Sequence, residues 1–226
     1  MKILIIDNWT QGIKNLEKFF QGIPNIKIKL IHFENKYLEK EKKSIKSRHI
    51  RAIDVSKNII NPYQILKKEK PDLLVLQEII SLPLISFNIA AKNLKIKTFH
   101  ITHGIPGNLE TKYDFIKLVS KVFRVFKRNI FYFYPIFFLT AINSKDFVNN
   151  LKNFFYMIYF QISRNSEILK KIDCLETDYA FVYNTRQKKY FENYLNIKKN
   201  NIIITGYIPL KNIQNKKNIV TKKDNI

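Results

Sequence analysis

The chain reads as an α/β protein: a Rossmann-like parallel sheet with helices on both faces, plus a basic, aromatic helical insertion. Three observations predict this class. Short apolar runs rich in β-branched residues recur along the chain. Helix-patterned segments separate them, and Gly, Pro, Asn or Asp punctuates the joins. Strands alternating with helices make a parallel sheet, because the chain must return to the same end before each new strand, and right-handed crossovers then cover both faces.

Taken in order, "KILII" (2–6) is the first strand. The segment "TQGIKNLEKFF" follows as a helix, with Ile13, Leu16, Phe19 and Phe20 at helical spacing and Gly22 and Pro24 as its stop. "IKIKLIHF" (26–33) alternates apolar with basic residues, the pattern of a partly exposed strand. Residues 34–50 are densely charged and read as a solvated loop or loose helix. "RAIDV" (51–55) is a short third strand, and a helix runs through "YQILKKEK" after a break at Pro62. Pro71 and Asp72 introduce "PDLLVLQ" (71–77), the strongest strand signal in the chain. "PLISFNIAAKN" returns as a helix and "IKTFHIT" (96–102) as the next strand. "YAFVYN" (179–184), a helix through "RQKKYFENYL", and "NIIITG" (201–206) complete a domain spanning 1–210; residues 211–226 form a polar tail or truncated linker.

Between about 112 and 172 the pattern changes. "YDFIKLVSKVFRVFKRN" sets Phe115, Leu118, Val122 and Phe126 on one helical stripe and Lys117, Lys121, Arg124 and Arg128 on another. "IFYFYPIFFLTAI" (130–142) is too short to span a bilayer, which takes about 20 residues, and Pro135 interrupts it. The insertion reads either as lying on an anionic membrane surface or as a hairpin packed against protein. Each basic residue near such a surface is worth about 1 kcal/mol, and six lie between 112 and 128.

Composition narrows the function classes. A content of 46% apolar residues supports a real core in this 226-residue chain. The formal charge of +22 favours anionic partners: membrane surface, sugar nucleotide or nucleic acid. Only six of the 40 basic residues are Arg, the residue that base reading and bidentate phosphate clamping favour, so no specific nucleic-acid partner is expected. Cys174 is the sole cysteine, which rules out an intrachain disulfide and a cysteine metal cluster and fits a reducing, cytoplasmic setting. "MKILIID" meets Asp7 before any signal-length apolar region.

Open parallel sheets bind ligands outside the carboxyl ends of their strands. Gly12, Gly104, Gly107 and Gly206 all fall in or just beyond turns after strands, where glycine lets backbone N–H groups approach a phosphate or sugar. Turn-making alone accounts for any one of them. The first turn reads "DNWTQG", so the G-x-G-x-x-G dinucleotide fingerprint is absent, as is the P-loop.

The segments "KPDLLVLQE", "IKTFHITHGIPGN" and "DYAFVYNTRQKKYFENYLNIKKNNIIITGYIPL" resemble the N-terminal half of a GT-B type glycosyltransferase and the related non-hydrolysing UDP-GlcNAc 2-epimerases. The resemblance covers most of 1–210. It is one of pattern, most specific at His100, His103, Gly104 and the Gly206–Pro209 exit. It implies an acceptor-side domain. The second Rossmann-like domain, which holds most of the sugar-nucleotide site in that family, would come from a second chain.

His103 stands at the mouth of its strand, where an imidazole titrating near neutral pH can take a proton from a sugar hydroxyl or steady a diphosphate. The resemblance gives it the role of acceptor-activating base or phosphate contact, with Gly104, Gly107 and Asn108 shaping the pocket. Glu78 is a second candidate base, although strand-end carboxylates also cap helices. His100, within the strand, serves either as a core residue or a substrate contact. Asn8, Thr10, Gly12, Gln77 and Gly206 complete the substrate-binding set. The spacing suggests neither a metal nor a resident cofactor.

The leading expectation is a glycosyltransferase in surface-polysaccharide or lipid-linked saccharide synthesis, at the inner face of the membrane, with a nucleotide-sugar donor and a saccharide or lipid-linked acceptor. The alternatives are a sugar-nucleotide epimerase, a non-catalytic subunit or remnant, and a basic nucleic-acid-binding protein.

Overall fold

The computed structural model of the chain describes residues 1–7, 25–33, 50–55, 58–77, 80–101, 129–163 and 165–206. Its seven strands are β1 (Lys2–Asp7), β2 (Lys27–His32), β3 (Ile50–Asp54), β4 (Leu73–Leu76), β5 (Lys97–Ile101), β6 (Tyr179–Val182) and β7 (Ile202–Ile204). They form one sheet in the order β3-β2-β1-β4-β5-β6-β7, and every neighbouring pair is parallel. The first six positions follow the doubly wound Rossmann order, and β7 extends the sheet by one strand. The α/β expectation is borne out.

Two aspartates explain why the chain turns into β4 and β6 where it does. The Asp72 carboxylate, just before β4, accepts a hydrogen bond from the backbone N–H of Lys2 on β1 at 2.7 Å. Asp178, just before β6, accepts from the Thr98 N–H on β5 at 2.8 Å and from the Thr98 hydroxyl at 3.1 Å. Each carboxylate satisfies a donor at the amino edge of the neighbouring strand, which fixes the register of the pair.

Five helices are described: α1 (Pro62–Glu69), α2 (Leu82–Asn93), α3 (Tyr134–Ile142), α4 (Phe147–Ser163) and α5 (Thr185–Tyr194). Pro62 opens α1, with Asn61 capping the N–H groups of Tyr63 and Gln64, and Pro135 likewise sits in the first turn of α3. A π-helical turn, Asn129–Phe133, leads into α3. α2 is buried on every side from Leu82 to Ala91, between the sheet and the α3–α4 hairpin.

Strand alternation divides the sheet into two faces. One carries Leu4, Ile6, Leu74, Leu76, Ala180 and Val182, which merge with the buried residues of all five helices into the larger core. The other carries Ile3, Ile5, Ile28, Leu30, Ile50 and Val75, a second buried cluster. "IKIKLIHF" was expected to be partly exposed; as β2 it is flanked by β1 and β3, and its last three residues are buried. Ile50, assigned from sequence to the charged stretch, opens β3. The helix expected through "TQGIKNLEKFF", residues 34–49, the stripe at 112–128 and the tail lie outside the described residues. Among the described residues, no helix is long and apolar enough to cross a membrane.

Candidate functional site

In a sheet of this order, the direction in which successive strands are added reverses between β1 and β4, the position at which open parallel sheets bind ligands. Asp7 closes β1 and pairs in register with His32, the last residue of β2. His32 in turn pairs with Asp54 at the end of β3. Across the reversal, Gln77 follows β4 and donates its N–H to the Ile6 carbonyl at 3.2 Å, which sets it beside Asp7. Three adjacent strands, β2, β1 and β4, thus end in polar side chains at one level. Asp7, His32 and Gln77 are all buried, none more than 3% exposed.

Register partners point to the same face, so Asp7 and His32 project to the side opposite Ile6 and Ile31. A carboxylate and an imidazole on adjacent strands place hydrogen-bonding groups side by side at this rim. α2 starts just beyond Gln77, at Leu82. Its N-cap residue Ser81 makes no side-chain capping bond, and the Ser81 hydroxyl is buried without a partner. The first N–H groups of α2 are therefore not taken up by their cap, and the positive end of the helix dipole favours an anion such as a diphosphate.

The other residues singled out from sequence fall as follows. His100 is buried on the opposite face, where its ring stacks on Phe191 of α5 at 4.9 Å between centroids and 25° between planes. Its register partners are Leu76 and Ala180, both core residues, and the core side of its sequence reading is what this packing matches. Gly206 follows β7 with φ +71°, a left-handed conformation that favours glycine, and a Cβ there would meet nothing within 4 Å. Backbone geometry accounts for this glycine. Gly206 shares the carboxyl rim, but β4, β5 and β6 lie between the reversal and β7, which precedes it; the three strand spacings from β4 to β7 are about 14 Å. His103, Glu78, Asn8, Thr10, Gly12, Gly104, Gly107 and Asn108 lie outside the described residues. Of the strands that lead to the residues singled out from sequence, β1, β4 and β5 are consecutive in the sheet, and β7, before Gly206, stands apart.

Asp7 and His32 were missed in the sequence. Their signal was available: "KILIID", "KIKLIH" and "RAID" are three apolar runs that each end in an ionisable residue. Among the described residues, no group of three His, Cys, Asp or Glu side chains could hold a metal ion. Among the described residues, the two groups whose acidity the fold shifts most are away from the strand ends. Burial pushes the Cys174 thiol up to about 12, and burial with the neighbouring Tyr194 pushes the Tyr190 phenol up to about 12.

No protein-family model matches the chain, and no curated protein matches it. The likeness to GT-B proteins rests on the quoted segments alone, and parts of it have local physical causes. Asp72 and Asp178 anchor neighbouring strands, and Gly206 answers to a positive φ. Any parallel sheet can use these devices.

Proposed function

We propose that the chain is the acceptor-side domain of a GT-B-like glycosyltransferase that transfers a sugar from a nucleotide diphosphate donor to a saccharide or lipid-linked acceptor. The observation that carries the reading is the buried row Asp7, His32 and Gln77 at the β1–β4 reversal, beside the start of α2. Sugar hydroxyls need fixed hydrogen-bond partners, and a diphosphate needs a positive, donor-rich surface; this rim offers both types of group within a few strand spacings. In the transfer, an acceptor oxygen attacks the anomeric carbon, the bond from that carbon to the diphosphate breaks, and the acceptor proton passes to a base. His103, two residues past β5, is assigned as that base, with Glu78 the second candidate. Asp7 and His32 hold hydroxyls of the bound sugar.

The test is release of nucleoside diphosphate from a panel of sugar nucleotides, measured with and without a lipid-linked saccharide fraction, using the full chain together with any second chain that restores turnover. His103→Ala is expected to lower acceptor-dependent release by roughly 100-fold or more. Asp7→Asn, which keeps the side-chain shape, is expected to raise KM with the fold intact by circular dichroism. Turnover unchanged in both variants overturns the reading. Conversion of a sugar nucleotide without any acceptor overturns it in favour of an epimerase.

A further inference from the structure

α4 is apolar on both sides: Phe154, Met157 and Phe160 are buried in the core, and further apolar side chains face solvent. Its inward face carries amides engaged in hydrogen bonds: Asn150 donates to the Ser144 hydroxyl at 2.8 Å, Asn153 accepts from the Asp173 N–H at 3.3 Å, and Gln161 accepts from the Asn129 side chain at 3.0 Å. Its outward face carries Val148, Phe155, Tyr159 and Ile162, of which Phe155 is 61% exposed and Ile162 77%. Helices on a sheet normally carry polar residues on their outer side. α4 instead leaves a second apolar stripe, about 20 Å long, facing solvent.

The stripe continues onto α3. The partly exposed Phe138 ring lies tilted at 4.8 Å from that of Phe154, which is also 5.8 Å from that of Phe155, so the two helices share one apolar surface. Phe131 and Ile142 extend it along α3 and the turn before it. Charge is almost absent: Lys145, Asp146 and Lys152 are the only charged residues between 129 and 163. At the margin the net sign is positive. Lys152 and Lys171 both lie over the Tyr156 ring, at 5.7 and 5.9 Å from its centre. In sequence the hairpin is preceded by six basic residues and one acid between 112 and 128, and followed by Arg164.

We propose that the outer face of the α3–α4 hairpin docks on an anionic lipid surface, with its aromatic and aliphatic side chains inserted at the level of the headgroups and its lysine margin against their phosphates. Two features select lipid over a partner helix. The apolar surface is two helices wide, broader than the single seam that a coiled coil buries. Its surroundings are net positive, Lys145, Lys152 and Lys171 outnumbering Asp146 and Asp173, which favours an anionic bilayer over a second copy of the same face. This is the arrangement of a helix lying in the interface plane, with neither helix long enough to cross. The proposal stands independently of the sugar-transfer reading.

Co-sedimentation of the full chain with vesicles tests it, comparing phosphatidylcholine alone with phosphatidylcholine containing phosphatidylglycerol. The chain is expected to bind the anionic vesicles more tightly, and less so at high salt. The double variant Phe155→Asp with Ile162→Asp changes two exposed positions. It is expected to lower the partition coefficient by roughly tenfold or more with an unchanged thermal midpoint. Ile59→Asp, exposed on another part of the surface, leaves partitioning intact. Absence of binding by the wild-type chain, or undiminished binding by the double variant, overturns the proposal. So does a wild-type dimer that the double variant dissolves while neither binds vesicles, which assigns the face to a second copy. Lipid binding is read without sugar nucleotide, so its failure is separable from failure of the transferase reading.

Discussion

Asn88 provides the most direct test of how this fold holds its second half in place. It is the one amide in the wholly buried stretch of α2, and its side-chain N–H groups donate to the carbonyls of Cys174 and Glu176, both at 2.8 Å. Those carbonyls belong to the segment that feeds β6, so one side chain ties the central helix to the sheet's far side. Asn88→Ala removes two hydrogen bonds of about 1 kcal/mol each and leaves two desolvated carbonyls, for a total near 3 kcal/mol. Against a net stability of about 5–15 kcal/mol this is large, and it corresponds to a fall in Tm of roughly 10 °C. The control lies one turn along the same helix and addresses the same partner residue. Lys92 pairs with the Glu176 carboxylate at 3.4 Å, with both side chains more than a third exposed. Lys92→Ala should change stability by about 0.5 kcal/mol or less. Urea unfolding followed by circular dichroism reads both variants. If they shift the midpoint equally, or Asn88→Ala leaves it within about 0.5 kcal/mol of wild type, the argument from buried amide donors is wrong.

Three further outcomes follow from the same structure. Burial raises the Cys174 thiol from 9.0 to about 12 and, with Tyr194, the Tyr190 phenol from 10.0 to about 12. Both groups bind their protons more tightly folded than unfolded, so stability is full below about pH 9 and falls as pH rises toward 12. Thermal melts across that window should show the decline and Cys174→Ala should make it shallower; a flat profile contradicts the burial argument. At pH 8 the native thiol should resist a thiol reagent that labels it at once in denaturant. Asp178→Ala should lose about 2 kcal/mol in urea unfolding, since the Thr98 N–H it serves is buried, whereas Lys97→Ala, whose ammonium is exposed and 3.6 Å from Asp178, should lose about 0.5 kcal/mol or less. His100→Ala should cost about 2 kcal/mol through lost packing on Phe191 yet leave sugar-nucleotide affinity unchanged; a selective loss of affinity would return His100 to the ligand site.

Much of the fold was legible because its signals are local. Apolar runs, the Pro71–Asp72 strand start and the break at Pro62 before a helix each act within a few residues, so the strand–helix alternation and the parallel sheet could be read directly. His103 and the glycines drew attention through residue type. Asp7 and His32 did not, because neither is unusual in its own segment and they matter only as neighbours at the ends of β1 and β2.

The chain's own order of residues therefore determined the class of fold, the run of its elements and the positive charge around the hairpin. Two matters were decided only in three dimensions. One is the polar row at the β1–β4 reversal, because register between strands distant in sequence comes from pairing across the sheet. The other is which side of α4 faces out. Both sides carry aromatic residues, so periodicity alone leaves the choice open. It was settled by Phe154, Met157 and Phe160 reaching the core and by the hydrogen bonds from Asn150 to Ser144 and from the Asp173 N–H to Asn153, which leave Phe155 and Ile162 in water. Only one of the two apolar sides can be covered by the rest of the fold, and contacts distant in sequence choose which.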